Sequence, residues 1–332
     1  MVYFCTMFYK SDVIRQKMNE AGQAGRPFLF GVTFEGEEGF FLPHPLMQDE
    51  VLFDIGGKGN APNPPVRTPS LLFEAVPEPF DIYRSRFEAV MEGLQRGNSY
   101  LTNLTIRTPL RTSLTLSEVF LHSEARYRLL IPGVMVCFSP ECFVTMHNQR
   151  IATFPMKGTI DASLPGAREI ILSDPKERAE HNTIVDLLRN DLSYVATDVN
   201  VKRFRYLETV RTSKGEILQV SSEIEGTLPD HYREQLGSLL FKLLPAGSVS
   251  GAPKEATLQL IVAAEGEPRG YYCGVAGYYD GELLNTFVMI RFIEQRGKQL
   301  FFRSGGGITA GSDCRREYDE AIQKVYLPFQ SS

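Results

Sequence analysis

The run Ile151-Ala152-Thr153-Phe154-Pro155-Met156-Lys157-Gly158-Thr159-Ile160 sets a single cation inside an otherwise apolar stretch. Residues 151–154 have the look of a short strand, Pro155 interrupts it, and Gly158-Thr159 follows the lysine. A lysine among Ile151, Phe154, Met156 and Ile160 loses part of its hydration, and desolvation disfavours the ammonium form. A neutral amine is a nucleophile and an ammonium is not, so covalent chemistry is one expectation for Lys157. The plain alternative is a lysine at a strand end with its head in water.

Outward from this run, strand-like segments recur. Residues 27–34 and 39–42 suggest a hairpin, and residues 100–107, 134–139, 143–147, 199–210, 216–225, 271–279, 284–293 and 299–303 read as further strands. Helical spacing marks 80–96 through Tyr83, Phe87, Val90, Met91 and Leu94, with Gly97 as its stop, and also 175–192, 253–264 and 313–327. Paired strands separated by single helices, without βαβ alternation, predict an α+β fold of largely antiparallel sheets flanked by helices. The sequence lacks a G-x-G-x-x-G turn and a Walker sequence, which argues against a dinucleotide or P-loop site. Residues 56–79, rich in Pro and Gly and including Pro64, Pro65 and Pro69, read as a linker. The expected organisation is an N-terminal strand region and linker, 1–79, packed on a core, 80–328, as one structural domain.

Composition narrows the class. The chain has 332 residues, 43% apolar and 23% charged, with a net charge of −5. These values are ordinary for a water-soluble globular protein, and the absence of a Lys/Arg-rich run argues against nucleic acid as a partner. The five cysteines, Cys5, Cys137, Cys142, Cys273 and Cys314, show no CxxC spacing and read as reduced thiols. The apolar opening is too short for a membrane span. The expectation is a cytoplasmic protein without a membrane partner.

Two acidic pairs share one spacing. Glu177 and Glu180 lie three apart after Asp174-Pro175, a natural N-cap and first helical residue. Glu317 and Glu320 repeat the interval after Ser312, read as a cap. Like charges at this spacing repel unless neutralised, so each pair is either a solvated helix face or half of a site for a hard divalent cation such as Mg2+. The segment Leu244-Pro245-Ala246-Gly247-Ser248-Val249-Ser250-Gly251-Ala252-Pro253-Lys254 is a small-residue loop opening a helix, where free N–H groups and Lys254 suit an anion. Ser304-Gly305-Gly306-Gly307 allows close backbone approach to a ligand, or forms a tight turn. Arg291, closing an apolar strand, suits capture of a carboxylate or an edge salt bridge.

These segments, in this order, resemble the chorismate-utilising enzymes, the group of anthranilate, aminodeoxychorismate, isochorismate and salicylate synthases. The resemblance runs from about residue 80 to 327. It rests on Ser139-Pro140-Glu141, Pro155-Met156-Lys157-Gly158-Thr159, Ala179-Glu180-His181, Ser250-Gly251-Ala252-Pro253-Lys254, Tyr272-Cys273-Gly274, Ile290-Arg291, Gly305-Gly306-Gly307 and Glu317-Tyr318-Asp319-Glu320. It implies orthogonally packed sheets around a deep central site. It also implies Mg2+ held by Glu180 and Glu320 directly and by Glu177 and Glu317 through water. Tyr272, Arg291 and Gly307 are implied as the grip on the enolpyruvyl carboxylate. Gly158 and Thr159 line the ring, Lys324 lies near the carboxylate, and Gln219, Ser250, Gly251, Gly305 and Gly306 join the substrate-binding set. Glu141 is implied to assist proton transfer.

Within this family a lysine before the Gly-Thr, where the anthranilate and isochorismate enzymes typically have a small residue, resembles the branch that converts chorismate and ammonia to 4-amino-4-deoxychorismate for folate synthesis. Lys157 would then add at C2 and expel the C4 hydroxyl before ammonia adds at C4. Gln219 stands where anthranilate synthases have a histidine, Ser250 replaces a threonine, and Cys142 an arginine. Nothing in the chain resembles a glutamine amidotransferase, so glutamine use implies such a partner in trans, as component II. The alternatives are anthranilate chemistry, an isochorismate-type reaction with water, or a chorismate-binding subunit without catalysis.

Overall fold

The structure, a computed structural model, describes residues 7–63, 72–212 and 215–329. Cys5 and the apolar opening, and Pro64, Pro65 and Pro69 of the linker, lie outside the described residues. Two antiparallel sheets form the frame. The first runs in spatial order Phe8–Lys10, Glu38–Pro43, Phe28–Val32, Val275–Tyr279, Leu284–Val288, Cys142–His147, Arg150–Thr153, Gly215–Thr227 and Met156–Asp161, with Thr197–Thr212 also on Gly215–Thr227. The second runs Gly251–Ala252, Leu101–Thr112, Gln299–Ile308, Phe292–Arg296, Met135–Ser139, Tyr127–Ile131, Leu52–Ile55 and Lys58–Gly59, with Phe73–Ala75 on Leu101–Thr112. The α+β expectation is met.

Burial explains the patterning. Every residue of Phe28–Val32 and of Met135–Ser139 is buried, so these strands read as continuous apolar runs. Side chains from both sheets share the main core. Tyr127 stacks on Phe287 at 5.2 Å, and Phe53 meets Tyr278 at 5.2 Å. Helix Phe80–Gln95 buries Tyr83, Phe87, Val90 and Leu94, the expected stripe, against Leu104, Ile106, Ile308 and Tyr318.

Several boundaries differ from expectation. Part of the supposed linker is strand, since Lys58–Gly59 and Phe73–Ala75 both pair into the second sheet. Residues 271–273 form a turn before Val275–Tyr279. The run 284–293 divides into Leu284–Val288 in the first sheet and Phe292–Arg296 in the second. The glycines 305–307 continue strand Gln299–Ile308 and pair with Leu101–Thr112, rather than turning the chain. The last helix is shorter, Cys314–Gln323, and its cap is Asp313, whose carboxylate accepts from the Arg316 N–H. Helices Ser11–Gln23 and Leu236–Leu243 were not anticipated; they pack together, with Asn19 Nδ2 donating to Ser238 Oγ at 2.9 Å.

Candidate active site

The site lies where strands pass from one sheet to the other. Met135–Ser139 leads through Pro140-Glu141 into Cys142–His147, and Leu284–Val288 leads through Met289-Ile290-Arg291 into Phe292–Arg296. The two crossings hold each other: Val288 N–H donates to Glu141 O at 3.2 Å, and Phe138 N–H to Arg291 O at 3.0 Å. Arg291 therefore sits in a break between strands, with φ of +53°, and does not close a strand as the sequence suggested. Beside these crossings is a cavity of about 670 Å³, ample for a small-molecule ligand.

Lys157, Glu141, Gly158, Thr159, Gln219, Tyr272, Arg291, Gly305, Gly306, Gly307, Lys324 and Glu180 all line it. Local structure aims them. The pairing of Met156–Asp161 with Gly215–Thr227 slips between Met156 and Thr159, a bulge containing Lys157 and Gly158. Bulges re-aim side chains, and Gly158 adopts φ of +82° within this one. Lys157 Nζ lies 3.2 Å from Glu180 Oε2, with its side chain 39% exposed. The apolar setting expected from the flanking residues is thus corrected: the side chain is partly exposed and its amine is paired with a carboxylate. Past the bulge, Thr159 and Gln219 are direct partners across the strands.

Glu141 is half-buried and accepts a short hydrogen bond from the Ser248 hydroxyl. Burial pushes its carboxyl above the ordinary range, while Ser248 and the charges of Lys157 and Arg291 pull it back. Arg291 Nε is buried without a hydrogen-bond partner, a donor suited to an incoming anion. Tyr272 is 3% exposed, and burial holds its phenol well above the ordinary value. His181 is fully buried, bonded to Ser222 at 2.7 Å, and desolvation lowers its imidazole to about 4, so it is neutral near pH 7.

The glutamate pairs flank the same region. A side-chain carbon added at Gly158 would lie 2.9 Å from Glu177 Oε2, and one at Gly306 would lie 3.6 Å from Glu317 Oε2 and 3.9 Å from Glu320 Oε1. Lys324 Nζ reaches Glu320 at 2.7 Å and Gly305 O at 2.8 Å. The approach at Gly158 is tight and those at Gly306 are ordinary contacts; the hard carboxylate oxygens fit a divalent cation in donor type. Among the described residues no three Asp, Glu, His or Cys side chains are gathered as a ligand group.

Five expected residues are not on the cavity wall: Glu177, Glu317 and Glu320, of the four glutamates, together with Ser250 and Gly251. Ser250 is fully buried and donates to Ala246 O at 2.9 Å. Gly251 lies against strand Leu101–Thr112, where an added carbon would be 1.9 Å from Leu101 O; its role is close strand approach. In the four-residue helix Gly247–Ser250, residues two apart point to opposite sides, which is why Ser248 lines the cavity instead. Lys254, expected at an anion site, turns away to Asp191 at 3.2 Å and Leu243 O at 2.9 Å. Sequence reading also missed Asn103 and Ser248 on the wall and the buried Arg269 behind them. Ser248 was legible only as one hydroxyl among several in a small-residue loop.

Comparison with known proteins places this arrangement. Residues 47–329 match the family described as chorismate binding enzyme. An uncharacterized PabA-like protein of Pasteurella multocida is 50% identical over 318 residues, 94% of this chain and 97% of that one. Aminodeoxychorismate synthase component 1 of Escherichia coli is 33% identical over 258 residues, 73% of this chain and 56% of that one. The crystal structure of anthranilate synthase component I from Streptococcus pneumoniae superposes with a TM-score of 0.64 at 25% identity, covering 77% of this chain and 59% of that one. The chain belongs to the chorismate-binding enzyme family.

Proposed function

We propose that this chain is component I of an aminodeoxychorismate synthase, converting chorismate and ammonia to 4-amino-4-deoxychorismate. The observation that carries the reading is Lys157, an amine on the cavity wall within reach of Glu180, bordering the space shared with Glu141 and Arg291. Arg291, with its unpartnered Nε, binds a substrate carboxylate, and Tyr272 closes the wall beside it. Lys157, having left Glu180 and lost a proton to solvent, adds at C2 as the C4 hydroxyl departs. Glu141 supplies the proton that leaves with that oxygen as water. Ammonia then adds at C4 and expels the lysine. Mg2+, held by Glu180 and Glu320 with Glu177 and Glu317 through water, would neutralise the ring carboxylate.

The test is mass spectrometry of the whole protein. With chorismate and Mg2+ but no ammonia, the expected result is a gain of roughly 208 Da, chorismate less one water, on the peptide bearing Lys157. Ammonium should discharge it, and Lys157→Ala should never form it. An unmodified wild type together with near-normal product from Lys157→Ala would overturn the reading. Anthranilate with released pyruvate would point to the other branch. The nitrogen source is a second check: ammonium at elevated pH is expected to support turnover by the pure chain, and glutamine only with an added amidotransferase. Turnover of glutamine by the chain alone would remove the partner from the proposal.

A further inference from the structure

Glu141 is fixed at three points. Its N–H donates to Ser139 Oγ at 3.1 Å, its carbonyl accepts from Val288 N–H, and its Oε1 accepts from the Ser248 hydroxyl. Ser248 is itself held from behind. Arg269, 1% exposed, donates through Nη1 to the adjacent Val249 O at 2.8 Å and through Nη2 to Asn103 O at 2.7 Å, while Glu265 neutralises it at 2.7 Å. Ser250 Oγ on Ala246 O secures the same short helix. A half-buried serine on a braced backbone therefore meets a carboxyl on a braced backbone.

We infer that Ser248 is a positioning residue that holds Glu141 by Oε1 and so presents Oε2 to the substrate. The inference rests on the chorismate-amination reading above and adds to it the group that aims the acid. With Oε1 occupied as an acceptor, the carboxyl proton resides on Oε2. When that proton passes to the departing C4 oxygen, the C4–O bond breaks, water leaves, and Glu141 is left as a carboxylate. The Ser248 hydrogen bond stabilises this carboxylate in place. The other groups acting on it are the cations Lys157 and Arg291, and its neighbour Cys142 also lies within electrostatic reach. None of these can replace a directional bond to Oε1.

The test compares wild type, Ser248→Ala and Ser248→Thr as full chains. The Glu141 carboxyl is followed by infrared difference against Glu141→Gln, chorismate binding by calorimetry, and kcat across pH. Losing a hydrogen bond to the charged form moves the titration of Glu141 to higher pH. Ser248→Ala is therefore expected to titrate higher and to lose about 10- to 100-fold in kcat. Its Kd for chorismate should stay within about threefold, and Ser248→Thr should restore both the titration and most of kcat. An unmoved Glu141 titration in Ser248→Ala, wild-type kcat in that variant, or a Ser248→Thr as impaired as Ser248→Ala would each overturn the inference. Wild type that binds chorismate yet makes no aminodeoxychorismate sinks the function reading alone, since the infrared titration still decides whether Ser248 governs Glu141.

Discussion

At the residue scale, Lys157 is defined by its neighbour Glu180. The bulge at Lys157-Gly158 takes the lysine out of strict alternation and delivers its head to a carboxylate that the proposed Mg2+ site also needs. Lys324 stands in the same relation to Glu320. A lysine and a metal ion compete for one carboxylate, so the two occupancies are linked. Lys157→Ala should therefore bind Mg2+ more tightly than wild type, by about tenfold, as read by calorimetry. Glu180→Gln and Glu320→Gln should each abolish both Mg2+ binding and turnover, because an amide is a weak ligand for a hard cation. Unchanged turnover in excess EDTA would remove the metal from the account.

At the element scale, the buried Arg269–Glu265 pair joins parts distant in sequence. Glu265 ends helix Lys254–Glu265, and its Oε1 also accepts from Thr105 N–H at 2.9 Å on strand Leu101–Thr112. Arg269 reaches that strand at Asn103 and the short helix at Val249, with its guanidinium 4.4 Å from the Phe34 ring. Arg269→Ala strands a buried carboxylate and frees two carbonyls, so a loss of about 3–5 kcal/mol is expected in urea unfolding. The double change Arg269→Met with Glu265→Leu should cost less than Arg269→Ala alone. A single variant at wild-type stability would show that the pair is dispensable.

At the scale of the whole molecule, residues before the proposed core are built into both sheets. Phe28–Val32 pairs along Val275–Tyr279, and Leu52–Ile55 pairs along Tyr127–Ile131. A chain beginning at residue 80 would expose the edges of two buried strands. It is expected to aggregate, or to lack a cooperative unfolding transition in calorimetry. A soluble fragment with a sharp transition would show that the core is independent. Among the described residues no helix is long and apolar enough to cross a membrane.

The sequence by itself determined what depends on local pattern. Helix Phe80–Gln95 followed from its apolar stripe, the hairpin of Phe28–Val32 and Glu38–Pro43 from two apolar runs about a short polar turn, and the glutamate pairs from their interval of three. Lys157 was conspicuous as a cation in an apolar run. What only the tertiary structure decided depends on partners far along the chain. Whether Gly305-Gly306-Gly307 turns or extends is set by Leu101–Thr112, about 200 residues away in the ladder, and not by glycine itself, which permits both. Residues 284–293 read as one strand because apolarity does not reveal a change of sheet; the break at Arg291 exists because two sheets compete for that run. Ser248 and Ser250 look alike in a loop, and only the handedness of a four-residue helix packed against Glu141 sends one to the cavity and the other into the core.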